Sequence, residues 1–526
     1  MRSNDQSQIL AEVTTRIVGR LIDQGGDAVE SALEDTLYYE QKRLKRDMYR
    51  GEEDDKRFWR DIQGQLVSAG ESTRNEMLRQ IVMRFANEVM GHFDPKIYAL
   101  ATRALPTGLA VLLNSLDPRR IVAAPKASLS LKEQVIIKGE SEAVRRLAEK
   151  GTLVVVPTHL SNLDSIVLGY AFYLMGLPPL TYGAGLNLFT NKLIGYFMSN
   201  LGAYRVDRRK QSSIYKNVLK EYATVAVEMG YHSLFFPGGT RIRSGEVERS
   251  LKKGLLGTAV TAYGNNLRAA KEKPDIYVIP CTISYGLVLE AQTLIEDHLK
   301  ETGKSRYIIL DDEFSRPRRI AQFMSGLLKL NSRIYVTFGS PLDPFGNRVD
   351  FQGRSLDAHD RPIDISGYLR CDGELTIDTQ RDRQYTNELA QNISTEFEKH
   401  NCVQSTHITA FSTFQLMRKE NPDMDIYRLL RHGSGPLGFP VSDLIANMGA
   451  LLERIREMSK SGTLSVDPRL EGKTPQQVLD VALKHFAAYH TRDAVKRHAS
   501  RVHVDDAELI YYYHNRMAGY DLESLF

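Results

Sequence analysis

The sequence contains few of the residues that mark several classes of protein. It has only three cysteines in 526 residues, at Cys281, Cys371 and Cys402. Because they are odd in number and widely spaced, they suggest neither a disulfide framework nor the paired spacing of a zinc site. We therefore expect no bound metal and a reducing compartment.

A large excess of charge of one sign is also lacking. The formal net charge is +4, and no basic tail or Lys/Arg stripe with interleaved aromatics is present, which argues against a nucleic-acid partner. A charge this mild is compatible with docking on an anionic membrane surface. The first residues carry acids and no apolar segment, so no secretory signal is expected.

Two apolar segments are long enough to consider as membrane spans. Residues 166–191 carry no charge, but six glycines and prolines would break a spanning helix. We predict a buried helix followed by a loop there. Residues 97–116 are interrupted by Arg103 and Pro106, which favours an interfacial helix or a core helix over a span.

Changes of pattern divide the chain into four regions. Residues 1–126 are helical and highly charged, 127–345 alternate β-rich and helical runs, 346–384 form a polar surface excursion, and 385–526 are helical again. The alternation predicts an α/β domain with a largely parallel mixed sheet flanked by helices. The predicted strands are 153–156, 203–206, 233–236, 276–285 and 333–338.

A histidine and an aspartate follow the first predicted strand. His159 and Asp164 are separated by four residues, so a helix start at Asp164 would bring its carboxylate back to the imidazole. Such a pair can remove a proton from a substrate hydroxyl without a Ser or Cys nucleophile. A histidine that merely caps a strand is the alternative. His359 and Asp364 have the same spacing, but they lie in a polar, proline-containing segment that predicts a loop.

Two further predicted strands end in arginines. Arg208 and its charged neighbours follow 203–206, where guanidinium groups can grip a phosphate, or where they form an ordinary solvated cluster. Strand 233–236 leads into adjacent glycines whose amides can approach an anion. The residues after that strand are Gly238, Gly239, Thr240, Arg241 and Arg243. Strand 276–285 contains Pro280, which is typical of an edge or a bend.

Together these segments resemble the glycerol-3-phosphate and acylglycerol-phosphate acyltransferase superfamily over about residues 130–345. The catalytic dyad of that family corresponds to His159 and Asp164, and the last conserved block to Ile279 and Pro280. The resemblance implies that the substrate is bound by Arg208, Gly239, Thr240, Arg241 and Arg243. The run 184–188, the Arg241–Gly245 extension, the strand 335–341 and the stretch 511–516 resemble the glycerol-3-phosphate branch, whereas 206–208 also resembles the acylglycerol-phosphate branch.

One position departs from the family pattern. The block that is usually Phe-Pro-Glu-Gly-Thr-Arg has Gly238 in place of the glutamate, and in the family that glutamate helps to organise the glycerol-phosphate site. Either another acid substitutes for it, with Glu246 as the candidate, or the acceptor preference has shifted.

The resemblance implies an enzyme of phospholipid synthesis. It would transfer a fatty acyl group from acyl-CoA or an acyl carrier protein to the sn-1 hydroxyl of glycerol 3-phosphate, giving lysophosphatidate. The alternatives are a 1-acylglycerol-3-phosphate acyltransferase that makes phosphatidate, a non-catalytic lipid-binding scaffold and a thioesterase. No cofactor is implied beyond the acyl donor. We expect peripheral or monotopic attachment to the cytoplasmic face of a membrane, through 97–116 or 168–188.

Overall fold

The chain begins with a bundle of four helices. The computed structural model describes residues 3–46, 53–99, 134–189, 192–302, 332–433, 435, 438–487 and 494–526. The bundle helices are α1 (Ser3–Asp23), α2 (Gly26–Arg46), α3 (Glu53–Leu66) and α4 (Glu71–Val89). Their apolar faces enclose Trp59 and Phe85 in a core that also contains Tyr215 and Tyr222. The bundle is therefore packed against the part of the chain that follows it.

A seven-stranded sheet forms the centre of the molecule. Its strands are β1 (Val135–Gly139), β2 (Thr152–Pro157), β3 (Thr181–Gly185), β4 (Ala203–Val206), β5 (Ser233–Leu234), β6 (Ile276–Tyr285) and β7 (Ile334–Phe338). They lie in the order β1-β7-β6-β2-β5-β3-β4. The β6–β7 pair is antiparallel and the other neighbours are parallel. The predicted α/β fold with a largely parallel mixed sheet is confirmed.

Helices flank this sheet. They are α5 (Ser141–Lys150), α6 (Asp164–Leu174), α7 (Lys192–Asn200), α8 (Ser213–Glu228), α9 (Lys253–Leu256), α10 (Thr258–Arg268) and α11 (Ala291–Thr302). Strand β2 is buried along its whole length, as its unbroken run of apolar, β-branched residues requires for a strand covered on both faces. It lies in the interior of the sheet, so the residues that follow it emerge at the middle of the carboxyl edge.

The structure corrects several expectations about individual strands. Residues 166–191 contain β3 after the helix, although the sequence predicted a loop there, because the glycines of β3 fit between β4 and β5. Strand β1 was not predicted. Strand β6 lies in the sheet interior, so an edge position for Pro280 is wrong. Its missing N–H falls between the bridge from Val278 to Leu342 and the start of the β7 pairing at Cys281, where β6 changes partner.

The remaining regions are smaller sheets and a second group of helices. Residues 346–384 hold β8 (Arg348–Val349), β9 (Ser355–Leu356), β10 (Pro362–Ile363), β11 (Arg370–Cys371) and β12 (Glu374–Leu375). The later helices are α12 (Thr379–Lys399), α13 (Ser405–Glu420), α14 (Ile426–His432), α15 (Val441–Lys460), α16 (Pro475–Phe486) and α17 (Ala507–Asn515). The later strands are β13 (Cys402–Val403), β14 (Phe439–Pro440), β15 (Ser465–Val466), β16 (Val495–His498) and β17 (Arg501–Val504). The boundaries of the four predicted regions stay predictions.

One of the two predicted membrane contacts lies among the described residues. Within the described ranges, no helix combines the length and the apolar composition that a bilayer span requires. Most of the segment 97–116 lies outside the described residues. Helix α6, in the other proposed contact, is largely core: Leu168 and Phe172 are buried, while Tyr173 is 43% exposed.

Candidate active site

The histidine and the aspartate predicted from the sequence lie in contact at the end of β2. His159 follows that strand, and Asp164 is the first residue of α6. His159 Nδ1 is 2.9 Å from Asp164 Oδ2. The histidine side chain is 12% exposed and the aspartate side chain is 0% exposed. The imidazole therefore reaches the surface of the domain while its partner is held inside it.

Asp164 is fixed by further donors. Its Oδ2 accepts hydrogen bonds from the backbone amides of Leu160, at 2.7 Å, and Ser161, at 2.9 Å. Its Oδ1 accepts one from the Tyr285 hydroxyl, at 2.6 Å. Because an ionised carboxylate can only accept, His159 Nδ1 must carry the proton in their shared bond. The lone pair of the neutral imidazole is then on Nε2, where a base needs it.

The surroundings of His159 favour this neutral form. Burial is the main cause that lowers the pKa of His159, and the nearby guanidinium groups of Arg241 and Arg208 lower it further. The Asp164 carboxylate opposes this shift. The Phe236 ring stacks on the imidazole, with 3.8 Å between the ring centroids. At neutral pH the histidine is therefore ready to accept a proton.

Of the charged residues that follow β4, Arg208 reaches the turn after β5, which carries Arg241 and Arg243. Arg209 donates back to Asp207 from both its backbone and its guanidinium group. Lys210 is buried and pairs with Glu88 at 2.6 Å. Arg208 is exposed, and its Nη2 donates to the carbonyl of Gly239 at 2.7 Å. Arg208 is therefore the candidate phosphate ligand of this segment, because Arg209 and Lys210 are paired with acidic side chains.

The glycine turn after β5 brings together more positive charge than the sequence indicated. Gly239 has a φ of +75°, and a Cβ there would lie 2.9 Å from Lys252 Nζ, so both the conformation and the close approach favour glycine. Thr240 follows it and is partly exposed. Lys252 was missed by sequence reasoning, because it lies in a segment with no recognisable motif. The backbone amide of Ile242 donates to the carbonyl of His159 at 2.7 Å, which joins this turn to the base.

Two arginines of the turn have acidic partners. Arg241 Nη1 is 3.4 Å from Oε1 of Glu290, a fully buried residue that also accepts from the Ser161 hydroxyl and the Asn162 amide. Arg243 pairs with Glu301 of α11. Desolvation, followed by repulsion from Arg241 and Arg243, lowers the pKa of Arg208. Arg241 and Arg243 therefore lie within electrostatic reach of Arg208, and an anion bound beside these groups would be stabilised.

The space beside Gly238, where a side chain would lie, is occupied by another acidic residue. The carboxyl group of Glu248 fills the space beside this glycine: a Cβ built at position 238 would overlap Glu248 Oε1 and lie 2.7 Å from Cδ. Glu246, which the sequence suggested as the substituting acid, is exposed. The side chain next to Gly238 is therefore that of Glu248, and a role for Glu246 stays a prediction.

The other predicted pair does not form a comparable site. His359 and Asp364 are exposed, and Asp364 accepts from the backbone and hydroxyl of Ser366. Among the residues that the structure describes, no three His, Cys, Asp or Glu side chains cluster in a way that would hold a metal ion.

Comparisons with known proteins show which proteins this chain resembles. Residues 136–284 match the family model described as Acyltransferase. A glycerol-3-phosphate acyltransferase of Pseudomonas paraeruginosa (strain PA7) is 28% identical over 226 residues, which are 42% of this chain and 25% of the relative. A protein of the same name from Pseudomonas aeruginosa (strain LESB58) has the same identity and coverage. One from Baumannia cicadellinicola is 29% identical over 209 residues, 38% of this chain and 23% of the relative.

The similarity is confined to part of each protein. The chain spans about a quarter of the length of the curated relatives it matches. The segment that matches the family model runs from β1 into β6 and contains the His159–Asp164 pair and the turn with Arg241 and Arg243. Residues 136–284 of this chain therefore form an acyltransferase domain that is similar to part of bacterial glycerol-3-phosphate acyltransferases.

Proposed function

We propose that the protein transfers a fatty acyl group from acyl-CoA or an acyl carrier protein to the sn-1 hydroxyl of glycerol 3-phosphate. The observation that carries the proposal is the position of the His159–Asp164 pair beside a turn that bears Arg241 and Arg243 and accepts a hydrogen bond from Arg208. A base next to an anion site suits an acceptor that has both a hydroxyl and a phosphate. The names of the similar bacterial proteins support this choice of acceptor.

The proposed reaction is a direct transfer. His159 Nε2 takes the proton of the acceptor hydroxyl while its oxygen attacks the thioester carbonyl. Asp164 stabilises the imidazolium that forms. The C–O bond of the ester is made, the C–S bond breaks, and the imidazolium returns its proton to the leaving thiolate. Free thiol and lysophosphatidate are the products, and the histidine is regenerated.

The anion site fixes the acceptor in this proposal. Arg208 and Arg241 bind the phosphate, with the amides around Gly239 and Thr240 as further donors. Arg243 is paired with Glu301, but it lies within electrostatic reach of Arg208 and would add to the positive potential at the anion site. The base and the cationic side chains account for the proposed chemistry, so it requires no metal or redox cofactor, and the acyl donor is a co-substrate.

The proposed location is the cytoplasmic face of a membrane, with peripheral or monotopic attachment. An acyl chain and its product partition into lipid, and a net charge of +4 favours an anionic surface. Sedimentation with vesicles that contain phosphatidylglycerol measures this attachment directly. A protein that stays wholly in the supernatant at low salt would contradict it.

The function is tested by acyl transfer from labelled palmitoyl-CoA to glycerol 3-phosphate in detergent or liposomes. We expect lysophosphatidate from the wild type, and about 100- to 10,000-fold less from His159→Ala because the general base is removed. His359→Ala is the matched control, since that histidine has the same spacing to an aspartate and is exposed. It should retain the activity of the wild type.

The same assay separates the alternative functions. Phosphatidate formed from 1-acylglycerol 3-phosphate, without product from glycerol 3-phosphate, would assign the other acceptor. Free fatty acid released without any acceptor would indicate a thioesterase. Full function in cells of the His159→Ala protein would indicate a scaffold.

A further inference from the structure

Glu248 is an unusual carboxyl group beside the candidate active site. The residue is partly exposed, but its Oε2 is buried and has no hydrogen-bond partner among the described residues. Burial raises the pKa of Glu248 to about 8, and Asp164 also raises it, while Arg516 and the backbone amide of His159 lower it. At neutral pH this group is largely a neutral acid, which can both donate and accept a hydrogen bond.

The Glu248 carboxyl group lies next to two segments of the site. On one side lies the backbone amide of His159, and on the other lies Gly238, whose missing side chain leaves room for the carboxyl group. The next residue, Gly239, accepts the hydrogen bond from Arg208. One buried carboxyl group therefore lies between the backbone that carries the base and the turn that carries the anion site.

We propose that Glu248 is a positioning residue that supplies, from outside the turn, the carboxyl group that position 238 lacks. It holds the backbone of His159 and the Gly238 turn in a fixed relation, so that the base and the arginines meet the same acceptor molecule. It acts through these backbone groups, since its Oε2 is enclosed. The inference deepens the proposed function and rests on it.

The test exchanges the carboxyl group between the two positions. Glu248→Ala should lower kcat/KM for glycerol 3-phosphate by about 10- to 100-fold, the cost of a small misplacement of reacting groups. The KM for palmitoyl-CoA should change little. Gly238→Glu alone should also impair the enzyme, because two side chains compete for one space. The double variant Gly238→Glu/Glu248→Ala should recover most of the activity, since a glutamate again reaches that space.

A second double variant separates chemistry from packing. Gly238→Ala/Glu248→Ala avoids the overlap at position 238 and restores no carboxyl group, so it should be about as stable as Glu248→Ala and should not regain activity. Recovery of activity in both double variants, or in neither, would overturn the proposal, as would wild-type kinetics of Glu248→Ala. Glu246→Ala, at an exposed acid in the same segment, is the matched control and should behave as the wild type.

Thermal unfolding tests the placement without any turnover. Gly238→Ala should lower the Tm of the protein by several degrees when Glu248 is present and leave it nearly unchanged in the Glu248→Ala background. An equal decrease in both backgrounds would overturn the proposal. A wild-type protein that makes no lysophosphatidate would contradict the proposed function, whereas this thermal comparison would still decide the placement of Glu248.

Discussion

At the scale of single residues, Asp164 is the most constrained group of the site. Its carboxylate accepts hydrogen bonds from two backbone amides, and also from the His159 imidazole and the Tyr285 hydroxyl. Asp164→Asn replaces one accepting oxygen by an NH₂ group, so at least one of these donors loses its acceptor, and the imidazole loses the charge that stabilises its protonated form. We expect kcat to fall by about 100- to 10,000-fold, measured at saturating palmitoyl-CoA and glycerol 3-phosphate.

The matched control for that substitution is Asp364→Asn. Asp364 has the same spacing to a histidine but is exposed and bonds to Ser366. Its kcat should equal that of the wild type. An Asp164→Asn enzyme within threefold of the wild type, roughly the resolution of such a comparison, would exclude Asp164 from catalysis.

The raised pKa of Glu248 should make the free energy of unfolding depend on pH. Its pKa is about 8 in the folded protein against an ordinary value of 4.5, so between these two pH values the folded state binds more protons than the unfolded state. The free energy of unfolding therefore falls as pH rises through this window, by at most about 1.4 kcal/mol per pH unit. Glu248→Gln removes this dependence and should gain stability relative to the wild type between pH 5 and pH 8.

Urea unfolding at pH 5, 6.5 and 8 measures that difference. It should grow steadily over this range and level off above pH 8, where the wild-type carboxyl group is ionised in both states. A difference that stays constant with pH would mean that Glu248 has an ordinary pKa in the folded protein.

At the scale of elements, the helical bundle supports the loop that carries Arg208. Lys210, two residues further on, is buried between Glu88 and Glu40, with Nζ–Oε2 distances of 2.6 and 3.9 Å. Glu40 is itself fully buried and pairs with Arg43. The start of α8 is attached to the same bundle, because the amide of Ser213 donates to Asp35. The position of Arg208 thus depends on α2 and α4.

Removing the lysine tests this connection. Lys210→Met leaves the buried Glu40 and the partly exposed Glu88 with less positive charge, which should lower the free energy of unfolding by at most about 3–5 kcal/mol, the cost of breaking a buried ion pair. It should also raise the KM for glycerol 3-phosphate, because the Arg208 loop loses its attachment. Lys216→Met, at an exposed lysine of α8, is the control. Equal stability of the two variants would contradict a supporting role for the bundle.

At the scale of the whole molecule, residues of the C-terminal region pack against the segment that carries Glu248. Arg516, just after α17, is buried and lies close enough to Glu248 to lower the pKa of that carboxyl group. Its Nη1 and Nη2 reach the carbonyls of Glu246 and Ile283 at 3.4 and 3.5 Å. A Cβ at Gly245 would overlap the carbonyl of Tyr512. The region that follows the acyltransferase domain therefore contributes to the environment of the site.

The sequence by itself determined the local features of this protein. Strands β2, β4, β6 and β7 were predicted to within about one residue, because apolar, β-branched runs specify buried strands through nearby residues alone. The contact of His159 with Asp164 was predictable for the same reason, since a strand end followed by a helix start returns the carboxylate to the imidazole. Strand β5 ends earlier than predicted, where the chain leaves the sheet to form the glycine turn.

Only the tertiary structure decided which distant groups meet at the site. Tyr285 reaches Asp164, Glu290 reaches Arg241, and Glu248, in place of Glu246, fills the space at Gly238. These contacts depend on the order of the strands and on the course of the loops between them, which residue patterns do not encode locally. The sequence therefore specified the base and its partner, and the packing of distant segments decided how their surroundings hold them.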